Sequence, residues 1–407
     1  MAKVDMENGP WWTENWVTSP FNFLPEVRQG LELPKRLKLH DAMLRDGEQT
    51  PGVILLKEEK LAIAKALDEL GVDRIEAGMP AVSPDDFQAI KNINAAGLKA
   101  QISGFCRAMA KDVDMCLEAD CKHVVIEIPC GYLRLKYQMG WTEDECIKRA
   151  VDAVAHAKKR GLGVCFFPFD ATRAEPEFYL RLMKSVYEDA GPDSVALVDT
   201  QGTAIPQAIM YMVRKIRETV PVPVEVHSHN DFGMGVAGTM AALSAGAEVA
   251  HVCINGMGER TGNAALEEVA MSARIMYGME TGINFEKLPE VSALVQKLTG
   301  IKLDKLKPVV GDNAYAREVG LGMDMVKKQP RTVFPIDPKF VGRKPTVIMG
   351  KKSGILSVGM KLEEWGMSAS EPQMREMTDK IKALAVEKKR ALADDEVRGV
   401  FEGVLRG

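Results

Sequence analysis

Between Lys35 and about Gly278, short runs of β-branched and aromatic residues alternate with longer amphipathic segments, and the alternation repeats eight times. Strands that alternate with helices run parallel, because each helix carries the chain back to the edge where the last strand began. The candidate strands begin at Arg36 (RLKLHDAML), Asp73 (DRIEAGM), Lys99 (KAQISGF), His123 (HVVIEIP), Gly163 (GVCFFPF), Ser194 (SVALVDT), Val224 (VEVHSHN) and Glu248 (EVAHVCI). Helices are expected between them, among them KEEKLAIAKALDELG from Lys57, TEDECIKRAVDAVAHAKKRG from Thr142 and NAALEEVAMSARIMYG from Asn263. These three end on glycine, a common helix stop. Eight such units in roughly 245 residues match a closed (β/α)8 barrel, the TIM barrel, better than an open doubly wound sheet.

Two segments flank the barrel, which is expected over residues 35–280. Residues 1–34 hold Trp11, Trp12 and Trp16 beside Pro10, Pro20, Pro25 and Pro34, the pattern of an extended arm with aromatic anchors. Such an arm packs on its own barrel or crosses a second subunit. Residues 281–407 contain a helical stretch from Phe285, a Gly/Pro-punctuated region from Lys307 to Gly354 and a charged amphipathic tail from Glu371. They are expected to form a small, mainly helical C-terminal subdomain that ends in a helical hairpin.

Charge and cysteine content exclude several partners. Lys plus Arg is 53 against 57 Asp plus Glu, a net charge of −4, without the basic surplus that nucleic acid or an anionic membrane recruits. No apolar run approaches the roughly 20 residues that span a bilayer, and the N-terminus lacks a signal-peptide pattern. Seven cysteines form no CxxC pair and are odd in number, as expected of free thiols in a reducing compartment. The cytoplasm is the expected location.

In a barrel of this kind the active site lies where the strands end. Strand one ends in LRDGEQTPG, with Arg45, Asp46, Glu48 and Gln49; strand seven ends in HSHND, with His227 and His229; strand eight runs into NGMGERTGN. Strand residues i and i+2 share a side, so the two imidazoles stand roughly 7 Å apart at Cα, a spacing that suits one metal ion. Asp46, next to strand eight in a closed barrel, is the natural carboxylate ligand. An Asp/His/His set with open positions suits a divalent cation that also chelates substrate oxygens.

LRDGEQTPG, IEAGMPAVSPDDF, HSHNDFGMG and NGMGERTGNAALEEV together resemble the metal-dependent family of 2-isopropylmalate, homocitrate and citramalate synthases and 3-hydroxy-3-methylglutaryl-CoA lyase. VVGDNAYARE, IMGKKSGILSV and the helical tail resemble the C-terminal subdomain of the synthases, most of which the lyases lack. The resemblance implies Asp46, His227 and His229 as ligands of a divalent ion (Mg2+, Mn2+ or Zn2+), with Asn263 in or just outside the first shell. It implies Arg45 as the residue that stabilises developing oxyanion charge, with Glu48 of the same loop completing the expected catalytic pair. Gln49, Glu76, Arg134 and Thr200 occupy expected substrate-binding positions. The implied reaction is a Claisen-type condensation of an acyl-CoA, acetyl-CoA in the usual case, with a 2-oxo acid. A lyase running the reverse cleavage, and a binding protein that kept the site without turnover, are the alternatives. The implied assembly is a homodimer or a higher homo-oligomer.

The departures from the family pattern are specific. Phe169, in FFPFDA, stands where the synthases usually carry a glutamate after strand five, and Tyr132 and Arg134 alter the strand-four motif. AREVGLGMD places Arg317 and Gly322 where the synthases have an AHEAGIHQD-like segment, whose second histidine is thought to assist acyl-CoA deprotonation. GKKSG carries Lys352, and no histidine follows His251. Tyr315, Asp324 and Lys352 are candidate replacement bases, named from the family register. Met79, Tyr132 and Phe169 point to an apolar substrate pocket. The chain ends with the subdomain, so feedback through a further regulatory domain is not expected.

Overall fold

The computed structural model describes residues 4–407. They form two compact units, one of Ser19–Leu303 and the other of the residues up to Thr18 with Asp304–Gly407.

The first unit is the barrel. Its strands are β1 (Lys38–Asp41), β2 (Arg74–Glu76), β3 (Gln101–Arg107), β4 (His123–Pro129), β5 (Gly163–Phe169), β6 (Ser194–Asp199), β7 (Val224–Ser228) and β8 (Val249–Val252). All are parallel and close in chain order, with β8 pairing back on β1 so that Lys38 faces Val249 and Asp41 faces Val252. The eight-unit pattern of the sequence is therefore the architecture observed. Alternate residues turn inward, and Phe105, Val125, Cys165, Phe167, Ala196 and Val198 form a dry layer inside the barrel.

The helices follow from local signals. The helix Lys57–Leu70 buries Ile63, Ala64, Leu67 and Leu70 along one face and stops at Gly71, whose φ of 98° is left-handed. A Cβ there would lie 2.2 Å from the Gly282 carbonyl oxygen, so glycine is required twice over. Ser83 accepts the Asp86 amide at 3.0 Å and opens Pro84–Asn94. The helix expected from Asn263 begins only at Leu266. The residues before it are extended, because Asn263 bridges His229 and Ala265 bridges Cys253.

In the second unit, Trp16 is buried, pairs with Ile336 and sets its ring 5.4 Å from Phe340. Arg331 lies over the Trp12 ring and donates to the Thr13 carbonyl. The N-terminal segment is divided: residues up to Thr18 group with the C-terminal segment, and Ser19 onward groups with the barrel. Helices Ile355–Glu364, Glu371–Lys388 and Asp394–Arg406 follow, the last two packed as a hairpin. All seven cysteines are buried and unpaired. Among the described residues no helix is long and apolar enough to cross a membrane.

Candidate active site

Asp46 follows β1 in a tight turn, its amide bonded to the Ala42 carbonyl at 2.8 Å. His227 is on β7 and His229 just beyond it. The three side chains converge: Asp46 Oδ2 lies 3.0 Å from His227 Nε2 and 3.7 Å from His229 Nε2, and the two Nε2 atoms are 3.3 Å apart. All three residues are almost fully buried. Burial depresses both imidazoles, His229 to about 4, so each presents a lone pair rather than a positive charge. Burial by itself would raise the Asp46 carboxyl, but Arg45 and the two histidines outweigh it and hold the group well below the carboxylate range.

These observations test the fit of a metal ion. Both Asp46 oxygens are buried without an aligned hydrogen bond, as is Asn263 Oδ1. Two neutral imidazoles that face each other through Nε2 repel unless a proton or a cation lies between them. Three donor atoms of hard and borderline type, within 4.8 Å of one another, suit a divalent cation. Asn263 is held by its Nδ2 on the Met257 carbonyl at 3.0 Å, which leaves Oδ1 free to ligate.

Arg45 stands beside this cluster, only 9% exposed. Its Nε donates to Glu76, its Nη1 lies 3.2 Å from Asp46 Oδ2, and its guanidinium stacks 4.0 Å from the Phe105 ring centroid. Nη2 is buried with no hydrogen-bond partner among the described residues. Three sides of the guanidinium are thus fixed, leaving one donor for a ligand.

Glu76 is placed otherwise than expected. It is fully buried and does not line the pocket; one oxygen takes Arg45 and the other lies 3.2 Å from His40 Nε2. Burial tends to raise its carboxyl, yet Arg45 and His40 bring it down to about 2. Its carboxylate, beneath Arg45, holds that side chain in place.

The other expected residues surround a cavity of about 560 Å3 at the barrel mouth, which Asp46, His227, His229 and Arg45 also line. Glu48 lies on its wall, clamped by Lys60 Nζ at 2.5 Å and by the Leu55 amide at 2.9 Å. Gln49, exposed, is on the rim. Thr200 Oγ1 accepts the Asp170 amide at 2.7 Å and keeps its proton for a ligand. Arg134 spans the opposite wall, 5.3 Å from the Phe169 ring centroid and 2.8 Å from Gln138 Oε1. Met79 and Phe169 line the cavity, while Tyr132 is exposed outside it. Tyr315, Asp324 and Lys352 all belong to the second unit. Gly322 has a left-handed φ of 70°, which suits the glycine present better than a histidine.

Sequence reasoning passed over several groups. Glu127 of β4 lines the cavity. A buried set of His40, Glu225 and His251 lies between the strands, with Arg74 and Ser194. That set could be read as a second metal site, but Arg74 donates to both Glu225 oxygens, at 2.9 and 3.0 Å, and His40 stacks on His251 at 4.1 Å. His40 Nε2 faces Glu76 at 3.2 Å and His251 Nε2 bonds Glu225 at 2.6 Å, so these groups are engaged within the network itself. The signal for this network was present as ionisable residues inside strand patterns.

A closed parallel barrel with two histidines, an aspartate and an oriented arginine at the strand ends has the frame of a metal-dependent enzyme of carbonyl chemistry. The comparisons define it further. Residues 36–295 match the HMGL-like family and residues 309–389 match the homocitrate synthase post-HMGL domain. The chain belongs to the HMGL-like family. It is 42% identical over 386 residues to the 2-isopropylmalate synthase of Methanocaldococcus jannaschii, covering 94% of this chain and 74% of that one. The homocitrate synthase of Methanopyrus kandleri is also 42% identical, over 94% of this chain and 96% of its own. The (R)-citramalate synthase of M. jannaschii is 43% identical over 85% and 70% respectively. A Bacillus subtilis HMG-CoA lyase structure shares the barrel, with a TM-score of 0.60 at 20% identity over 67% of this chain and 96% of that one.

Proposed function

We propose that this chain catalyses a divalent-metal-dependent Claisen-type condensation of an acyl-CoA, acetyl-CoA in the first instance, with a 2-oxo acid. One observation carries the reading: Asp46, His227 and His229 converge beside Arg45 in a chain about as similar to three kinds of condensing synthase. The match to the post-HMGL domain over residues 309–389 favours this direction over the lyase alternative.

Asp46, His227 and His229 would hold the ion, with Asn263 Oδ1 as a further ligand. When bound, the ion supplies Lewis acidity and a point of chelation for an oxo acid. The free Nη2 of Arg45 is a fixed donor for oxygen on which negative charge develops, a contribution that needs no reorganisation during reaction. Thr200 offers its hydroxyl to a substrate carboxylate, and Arg134 offers a cation to the far end of the same ligand. Glu76 keeps Arg45 charged and aimed.

The test is thiol release from acetyl-CoA with pyruvate, 2-oxoisovalerate, 2-oxoglutarate and oxaloacetate, each with Mg2+, Mn2+ or Zn2+ and after chelation. Metal-dependent release with one acid is expected. Release with none, together with cleavage of a hydroxy acid or its thioester, would reverse the direction in favour of the lyase.

A further inference from the structure

We propose that Glu127, on β4, is the general base that enolises the acyl-CoA, a role that rests on the condensation proposed above. The condensation needs a group that removes a proton from the carbon next to the thioester carbonyl. The base must face the cavity and be free to accept that proton.

Elimination among the cavity's ionisable side chains leaves one. Asp46, His227 and His229 form the ligand cluster, and Arg45 and Arg134 are cations. Glu48 and Asp86 both clamp Lys60, which consumes all three groups. Glu259 is exposed at the rim, facing Arg260 at 3.5 Å. Glu127 lines the cavity, and charges reach it through space only, with no hydrogen bond or ion pair on its carboxyl among the described residues.

Its direction follows from register. Glu127 pairs with Arg107 on β3 and with Phe167 on β5. Val125, two residues earlier, belongs to the inner layer, so Glu127 shares that face one step nearer the mouth. Strand four stands across a closed eight-stranded barrel from strand eight, so Glu127 is on the wall opposite the β7, β8 and β1 edge that carries the ligand cluster. An oxo acid held at that cluster would lie between it and the carboxyl. Met79, Phe105, Phe167 and Phe169 line the same cavity and give Glu127 an apolar setting. Burial pushes the carboxyl up to about 7, with Arg45 drawing it partly back, and a base is most effective when its conjugate acid titrates near the working pH.

In the step assigned to it, the Cα–H bond of the acyl group breaks and the proton passes to a Glu127 carboxylate oxygen. The bonding pair moves into the C=C of the enolate, and charge settles on the thioester oxygen. The enolate carbon then forms the new C–C bond to the keto carbon as the keto C=O π pair moves onto its oxygen, which takes up a proton from solvent water. Water cleaves the thioester and releases the CoA thiol and a carboxylate, and Glu127 returns its proton to solvent.

Glu127→Gln keeps the shape of the side chain and removes the base. With the full chain, Mn2+, acetyl-CoA and whichever of the four oxo acids supports thiol release, kcat is expected to fall about 10²–10⁴-fold while KM for the oxo acid stays within about threefold. Calorimetric Mn2+ binding is expected to be unchanged, and Glu127→Asp is expected to run at least about tenfold faster than Glu127→Gln. A kcat within about threefold of the unaltered protein, or a rise in KM alone, overturns the assignment. If Glu127→Gln fails to fold by circular dichroism, Glu127→Ala, which has no base at this position, decides: a kcat within about threefold of the unaltered protein overturns the assignment. Absence of thiol release from the unaltered protein with every acid refutes the condensation itself and this role with it; release that survives Glu127→Gln refutes this role alone.

Discussion

Lys60 offers the sharpest test of how the pocket wall is held. Its side chain, in the helix Lys57–Leu70, is 1% exposed, and its ammonium group sits between Glu48, at 2.5 Å, and Asp86. Lys60→Met keeps the apolar stem and removes the charge, leaving two carboxylates with no cation between them. Removing one partner from a buried ion pair costs about 3–5 kcal/mol, because the remaining charge is desolvated without compensation. Two features set the cost at the lower end. The Glu48 and Asp86 side chains are 21% and 14% exposed. Each also keeps another donor, the Leu55 amide at 2.9 Å on Glu48 and the Ser83 hydroxyl at 2.6 Å on Asp86. A loss of about 3 kcal/mol, at about 2–4 °C per kcal/mol for a domain approaching this size, lowers Tm by roughly 6–12 °C. Scanning calorimetry on chelator-treated protein measures this without the added stability of a bound ion. Adding Glu48→Gln and Asp86→Asn to Lys60→Met removes the repulsion and is expected to restore most of the lost Tm. A shift under about 1 °C for Lys60→Met, or a triple variant no better than the single one, refutes the electrostatic account.

Asp46→Ala is expected to weaken Mn2+ binding by about 100-fold or more, with metal-dependent binding of any oxo acid lost in the same titration; undiminished Mn2+ binding would remove Asp46 from the ligand set. Arg45→Lys cannot span Glu76 and Asp46 while also presenting a free donor, so kcat is expected to fall about 10²–10³-fold in the thiol-release assay, and a fall under about threefold would count against the oxyanion role. His40 reports on the buried network. Burial holds its imidazole down to about 3, against an ordinary 6.5. The unfolded chain takes up that proton near pH 6.5 and the folded chain does not, so stability falls as pH drops from 6.5 toward 3, by up to about 1.4 kcal/mol per pH unit. His40→Phe removes this contribution, and its Tm is expected to fall less steeply than that of the unaltered protein between pH 6.5 and about 5; parallel curves would refute the depression.

Much of the barrel is legible before folding is considered. Strand starts read at His123, Gly163, Ser194 and Val224 are those observed, because each begins where a turn gives way to a β-branched run. The helix read from Asn263 starts late, since long-range bridges from Asn263 and Ala265 override local helical spacing. Strand alternation put His227 and His229 on one side from their spacing alone, and the turn after β1 brings Asp46 to them. Glu76 shows the limit of such reading. The motif that contains it places it near the strand end, but its depth follows from barrel packing, which sets it under Arg45 and against His40.

The sequence by itself determined what local periodicity and short-range chemistry can encode: eight strand and helix units, the polar strand ends of the mouth, and the pairing of two imidazoles two residues apart. Only the tertiary structure decided which charges meet across the barrel. Lys60 between Glu48 and Asp86 and Arg74 on Glu225 join separate elements of the chain; the Glu127 carboxyl, without a partner among the described residues, and the division of the N-terminal segment at Thr18 follow from the same packing. Arg74, Glu127 and Glu225 are strand residues whose surroundings are set by register and barrel closure, and a one-residue change of register would turn each to the opposite face.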